Sequence, residues 1–568
     1  MDTSGLDEDG KEPSQPENKQ GHMFTEEEMD INLSIQQEHA ETPEESSSDD
    51  DTPGMVHVVA RYVAGLQAVS PDIIRATHCH KALRGLGRAL RGRRSGNYDR
   101  SFETTRIDQF WSHSWHGSAW RKIATMLMLS NGLWAICFGN LAALCMTILF
   151  ITGVLPGFER VPYLQVGRES YATGPWALLG GTFIAVVTCI TWRCRTRVFL
   201  DVICIHQDDP RRKTAALASI GAFLKHSAAL HVFWDETWAE RLWCVFEAAA
   251  FLKCQAMTGS HGNLSIRPTY FAVCSACVFA GTFAAELAGM VCSYHDAWIA
   301  VAIVGVPYCV GCRLAIHSVR GYFNSVETML TQLSTFELSQ AKSHCCSVNH
   351  RSNSSQPIIC DREVTTICIR KWFGSVKTFE ECVRSETSKA LADQLGSSSF
   401  SYLWVVLVMS PSHWAKVDQV AARLRAGELY AGAVVAVINT TYSLLIFPLI
   451  YHFLFAIAYY ARRPRVSCLA DELINLAVLV AVAPVAIVFI ILQSLCVSSF
   501  EPLVGSIAFF LLSLVLVSVS WRCSSFTLMP APRAPMACIA PTSLGTRHSI
   551  AQSLSEMDRS SSAAQGRD

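Results

Sequence analysis

The sequence predicts an α-helical polytopic membrane protein with a cytosolic α/β module, built on a parallel sheet, inserted between its spans. Three observations carry this. Apolar runs of membrane length recur along the 568 residues. Charged residues make up only 17% of the chain, against about 25% in ordinary soluble domains. Between two pairs of runs lies a strand, helix, strand, helix pattern, the signature of a parallel sheet.

The elements follow in chain order. Residues 1–55 form an acidic tail: seventeen Asp and Glu against Lys11 and Lys19 within residues 1–52. With no apolar period it cannot bury enough surface to offset chain entropy, so disorder is expected. The run Ser46–Asp51 suits an acid-directed kinase, or is simply a solvated tail. The net charge of −1 hides this tail, because the rest of the chain is correspondingly basic. The polar, acidic start shows no signal peptide, so the first span is expected to serve as its own insertion signal. Residues 56–100 read as a basic amphipathic segment. Arg84, Arg88, Arg91, Arg93 and Arg94 fit a helix on anionic lipid, or a solvated helix or linker.

A span needs about 20 apolar residues. The runs 132–192 and 270–312 each fold back as a hairpin, and residues 427–521 hold the remaining segments. Arg121, Lys122, Arg193, Arg195, Arg197, Lys253, Arg313 and Arg320 flank the first four runs on one side. The positive-inside rule makes that side cytosolic. The run Leu429–Ala461 is too long for one crossing, about 50 Å as a helix. Because Arg423, Arg425 and Arg462–Arg465 were to stay inside, a turn between Asn439 and Pro448 is expected. That gives about eight segments with both termini in the cytosol. The alternative is seven, with the C-terminus outside. Residues 524–568 are rich in Ser, Ala and Pro, a second disordered tail. The 22 cysteines lack a secreted-type framework, and mostly free thiols in reducing cytosol are expected.

The module is expected in two parts, 101–131 and 193–260. Its first strand lies within "RIDQFWSHSWHG", 106–117. In "RVFLDVICIHQDDPRRK", 197–213, the run Val198–Ile205 reads as a buried strand and Asp208-Asp209-Pro210 as a helix start. The helix runs to about 226. A strand at Leu230–Trp234 then leads into the helix of "RLWCVFEAAAFLK", 241–253.

These blocks resemble known families. "WCxxE" after a strand and turn resembles the third helix of TIR domains, and "VFLDVICIHQDD" resembles the core motif of HET domains. The whole set, with the later Cys360–Glu363, Trp372–Ser375 and Phe379-Glu380 block, resembles a group of multi-pass membrane proteins from dinoflagellate-type algae. The TIR/HET resemblance covers about 106–117 and 197–253. It implies a TIR/HET-like signalling or scaffolding module that associates with itself or with similar modules. It also implies NAD as a substrate, with the catalytic Glu247 carboxylate stabilising the oxocarbenium-like ribose as nicotinamide leaves. Ser112, His113, Asp201, His206 and Trp243 would line the same cleft at the strand ends, where α/β sheets bind ligands. Glu247 sits four residues after Trp243 on an apolar face, which favours a raised pKa. The competing reading is a structural acid paired with Arg241 or Arg197.

Residues 313–426 read as a cytosolic helical region with a Cys/His cluster. Cys345, Cys346, His350 and Cys360 are weak metal candidates, since zinc favours C-x2–4-C pairs and these cysteines are adjacent. No metal is expected there. Glu286 and Asn439 are the intramembrane polar residues, and such groups are costly and often functional. They support the alternative of a transporter or channel regulated by its cytosolic module. Beyond the bilayer and similar modules no partner is indicated, and no nucleic acid.

Overall fold

The computed structural model describes residues 52–92, 96–160, 171–258, 262–291, 297–351, 359–389 and 400–523. The two tails, beyond 51 at one end and 523 at the other, lie outside the described residues.

A six-stranded mixed sheet stands in the order β2-β1-β6-β3-β7-β8. Its strands are β1 (Arg75–His78), β2 (Phe102–Glu103), β3 (Gln109–His113), β6 (Arg197–Phe199), β7 (Ala229–Trp234) and β8 (Asn263–Pro268). A separate hairpin joins β4 (Phe158–Arg160) to β5 (Tyr171–Thr173). The four strands β6, β3, β7 and β8 are parallel. Among these four, the second in sequence lies beside the first and the third lies on the first's other side. That is a doubly wound order, and its chain reversal falls between β3 and β7. β1 pairs antiparallel with β6, and β2 with β1.

Period-two alternation sends neighbouring strand residues to opposite faces. Phe110, Phe199, Leu230, Val232 and Trp234 face one hydrophobic layer. That layer is formed by α1 (Thr52–Gly65), α4 (Pro210–Ala218), α5 (Ile220–Lys225) and α6 (Leu242–Thr258). Trp111, Val198 and Phe233 face the other, with Ile123 and Met126 of α2 (Ala119–Ile151). The expected βαβα unit is therefore present, with two changes. The run Val198–Ile205 is strand only to Phe199, and Asp201–Cys204 is one helical turn. The helix after Pro210 breaks at Ser219, although Asp209 caps it as expected by accepting from Arg211 N and Arg212 N.

Within 56–92, Arg84, Arg88 and Arg91 are exposed, while other residues join the core and the sheet. Val56, Val59, Ala60 and Val63 of α1 are buried in the core, and β1 extends the sheet. The helix Arg84–Arg91 is broken by left-handed residues at Gly85, Leu86 and Gly87. At Gly87 an added Cβ would meet Ile123 at 2.5 Å. Close approach to α2 thus explains the bend that helical spacing of arginines concealed.

Five helices are long and apolar enough to cross a membrane. They are α2, α7 (Tyr270–Val291), α11 (Leu429–Tyr460), α12 (Cys468–Ser499) and α13 (Pro502–Cys523). The shorter α3 (Trp176–Thr191) packs along α2, and α8 (Ala297–Ser334) along α7. The Leu429–Ala461 run does not turn. It is one helix to Tyr460, widened to a π-helix at Tyr442–Ile446. Pro448 has no N–H for the carbonyl of Leu444, and the Tyr402 hydroxyl donates to that carbonyl instead. A tertiary hydrogen bond thus satisfies the carbonyl that Pro448 cannot serve.

Candidate functional site

The reversal point between β3 and β7 holds two polar clusters, one on each face of the sheet. On the α6 face, the indole N–H of Trp238 donates to Ser112 Oγ at 3.1 Å. Ser112 Oγ donates to Glu247 Oε2 at 2.7 Å. Ser112 and Trp238 are buried, and burial pushes the Glu247 carboxyl up to about 8 despite the opposing hydrogen bond from Ser112. Burial thus favours the protonated form of Glu247. Neither arginine offered as a structural partner pairs with it. Arg197 pairs with Asp108 at 3.0 Å. Arg241 bridges backbone to Lys342 and approaches His116 Nδ1 at 3.5 Å.

On the α2 face, alternation carries His113 away from Ser112. The His113 ring lies edge-on to Trp115 with centroids 4.7 Å apart. Among the described residues its buried Nε2 has no hydrogen-bond partner. Burial pulls its pKa below the ordinary value, so the ring is neutral. Trp115 Nε1 donates to Asp201 Oδ2 at 3.0 Å. Asp201 also accepts from Val202 N at 2.8 Å, closing the turn after β6.

Between these clusters, the loop after β7 is tied to the start of α2. Lys122 Nζ meets Asp235 Oδ2 at 2.8 Å, with the lysine side chain 3% exposed, and also donates to the Ser114 carbonyl. Ser114 Oγ and Thr237 Oγ1 are 2.7 Å apart, and Thr237 N donates to Asp235 Oδ1 at 3.0 Å. Gly117 approaches so closely that a Cβ would sit 2.0 Å from Asp235 Oδ2. Lys122 and Asp235 were missed from sequence, where Lys122 served only as a flanking charge. The signal available was the SHSWHG turn leading straight into a helix.

The expected single cleft is therefore only partly assembled. Ser112 and Glu247 meet; His113 and Asp201 belong to the opposite face. His206 lies elsewhere, accepting from Asp209 N at 3.0 Å and packing on Tyr98 at 4.7 Å. Trp243 turns toward Phe246, 5.7 Å between ring centroids, and the hydrophobic layer.

The intramembrane polar residues converge on one helix, α10 (Ser410–Arg425). Glu286 accepts from Ser412 Oγ at 2.7 Å and pairs with Lys416 at 3.6 Å. Asn439 donates to Lys416 O and Gln419 Oε1 at 3.3 and 3.2 Å. Both residues thus join neighbouring helices. Cys345, Cys346, His350 and Cys360 come together into one group.

No protein family, curated protein or solved structure matches this chain.

Proposed function

We propose that this chain is a multi-pass membrane protein that signals or scaffolds through a cytosolic TIR/HET-like module, by association with further copies or with similar modules. The observation that carries the reading is continuity between sheet and membrane helices. β3 ends at His113 and α2 starts at Ala119; β8 ends at Pro268 and α7 starts at Tyr270. Lys122 and Asp235 fasten the same junction, and Thr125 Oγ1 donates to Thr269 O at 3.2 Å. A partner bound at the strand ends would act directly on two membrane helices. The doubly wound order of the four parallel strands is one that many α/β modules share, so the TIR/HET part of the reading rests on the sequence blocks.

The test uses two differently tagged full-length copies, co-expressed and extracted in mild detergent. Recovery of one with the other, above an unrelated membrane protein, is expected. Recovery at the control level removes self-association as the mode of action.

A second reading, cleavage of NAD, rests on the raised Glu247 carboxyl beside Ser112 at the reversal point. A protonated acid there would have to ionise before stabilising an oxocarbenium-like ribose. Incubating the purified protein with NAD, wild type beside Glu247→Gln, tests it: no nicotinamide from the wild type removes this reading. Transport is less well supported. It asks for Glu286 in a polar cavity, whereas Glu286 is engaged by Ser412 and Lys416.

A further inference from the structure

We propose that Cys345, Cys346, His350 and Cys360 bind a zinc ion through three thiolates and one imidazole. Their ligand atoms all lie within 4.8 Å of one another. Cys345 Sγ and Cys346 Sγ are 3.8 Å apart, and Cys346 Sγ is 3.6 Å from His350 Nε2. A tetrahedron with Zn–S near 2.3 Å and Zn–N near 2.0–2.1 Å has S–S edges of about 3.8 Å and S–N edges of about 3.5–3.6 Å. The two separations match those edges. They do not match a disulfide, whose sulfurs lie about 2.05 Å apart.

An outer hydrogen bond and a local backbone reversal orient the donors. Asp361 N donates to Cys345 Sγ at 3.2 Å, the kind of outer hydrogen bond that orients and stabilises a metal-bound thiolate. Asn349 and His350 both adopt left-handed backbone, φ 51° and 55°. Non-glycine residues seldom do so, and a pair in succession needs a compensating interaction. His350 N donates to Cys345 O at 2.8 Å, and the reversal brings the imidazole back onto Cys346. Adjacent cysteines lack the familiar spacing, but the fold supplies the convergence. The short helix His344–Ser347 presents two thiols, and Cys360 arrives at the start of α9 (Asp361–Phe373).

Four protein donors close the coordination shell, so the role is structural. The ion would staple the end of the segment following α8 to α9. That helix stacks Trp372 on Phe246 of α6, centroids 5.5 Å apart, and donates from Trp372 Nε1 to Ala64 O of α1 at 2.8 Å. Arg362 reinforces the joint by donating to the carbonyls of Ser339 and Ala341, at 3.0 and 2.6 Å. The staple thus ties the long helix α8, which packs along α7, to the α/β module.

The test is metal content of the full-length protein, purified in detergent from zinc-supplemented cells. About one zinc per chain is expected. Exchange for Co²⁺ should give the intense visible bands of a tetrahedral thiolate site. His350→Cys should keep one metal with a shifted cobalt spectrum, and Cys360→Ser should lose it. Cys468→Ser, at an exposed cysteine elsewhere, should retain it. Wild type without zinc, or undiminished zinc in Cys360→Ser, overturns the proposal.

Discussion

Two residues set the character of the strand ends. Glu247 has a folded-state pKa near 8, above the ordinary 4.5. The folded protein therefore holds this proton over a range in which the unfolded chain has released it. Its contribution to stability is fully present below about pH 4.5, falls as pH rises toward 8, and is then lost. Glu247→Gln keeps the hydrogen-bonding shape without the titration. Melting temperatures of the two proteins in detergent should diverge between pH 5 and 8, with the Gln variant gaining as pH rises. A constant difference across that range would show that Glu247 titrates normally. Lys122 makes a different kind of case, a buried ion pair with Asp235. Removing one partner of such a buried pair leaves the other uncompensated, at a cost of about 3–5 kcal/mol. Lys122→Met should therefore lower the melting temperature sharply, and adding Asp235→Asn should restore much of the loss. No restoration would mean that the Lys122 bond to the Ser114 carbonyl matters more.

How far such residues were legible depends on the distance over which their partners act. Glu247 stood out because a carboxylate on an apolar helical face is anomalous within a few residues of sequence. The strand pattern at 229–234 and the Asp209 cap are equally local, and both are present. The division of Ser112 from His113 was also available, since adjacent strand residues point to opposite faces; treating both as lining one cleft overlooked it. Lys122–Asp235 joins positions 113 residues apart, and no local pattern reports such a pair. The same holds for β1, whose partners are β6 and β2.

At the scale of elements, α10 carries the polar framework of the membrane bundle. Trp414 fits where Gly139 and Gly181 leave room; a Cβ on either would come within 3.0 Å of its ring. Its indole N–H donates to Asn140 Oδ1 at 2.8 Å. Asp418 accepts from Ala177 N and Leu178 N at 2.8 and 2.9 Å, satisfying the free donors at the start of α3. The sequence hid this role because α10 is too polar to read as a span, and its polarity is spent on neighbouring helices. Close helix contact elsewhere relies on glycine. Gly281 of α7 and Gly311 of α8 face each other, and a Cβ on Gly281 would lie 2.6 Å from the Gly311 Cα. Small residues let backbones approach in this way. Gly281→Val must push α7 from α8, an overpacking cost of about 1–3 kcal/mol. Gly305→Val, where an added Cβ meets nothing within 4 Å, is the control. The first should melt lower than the second in detergent; equal melting would show that the helices part freely.

For the whole molecule, the placement of α10 bears on the path of the chain through the bilayer. Arg425 Nη1 donates to Leu155 O at 2.7 Å, its guanidinium lies 4.6 Å from the Phe150 ring centroid, and Arg423 lies 4.2 Å from that of Tyr171. These contacts are at the end of α2 opposite Arg121. The inference that Arg423 and Arg425 share a side with Arg121 is therefore corrected. The helices Tyr402–Val408 and Ser410–Arg425 precede α11, which is one continuous helix to Tyr460. At its end, Arg462 and Arg463 pair with Glu327 of α8 at 2.6 and 2.9 Å, near the end of α8 that continues toward the α/β module. With Arg423 and Arg425 at that end of α2, a single crossing by α11 would bring the arginines after it back to the basic side without a turn. Glycosylation acceptors inserted singly at Gly427 and at Pro464, followed by translation into microsomes, test this. The acceptor at 427 should be modified in the lumen and the one at 464 should stay unmodified. Modification of neither, or of both, would restore a turn within α11, and modification of 464 alone would invert the bundle.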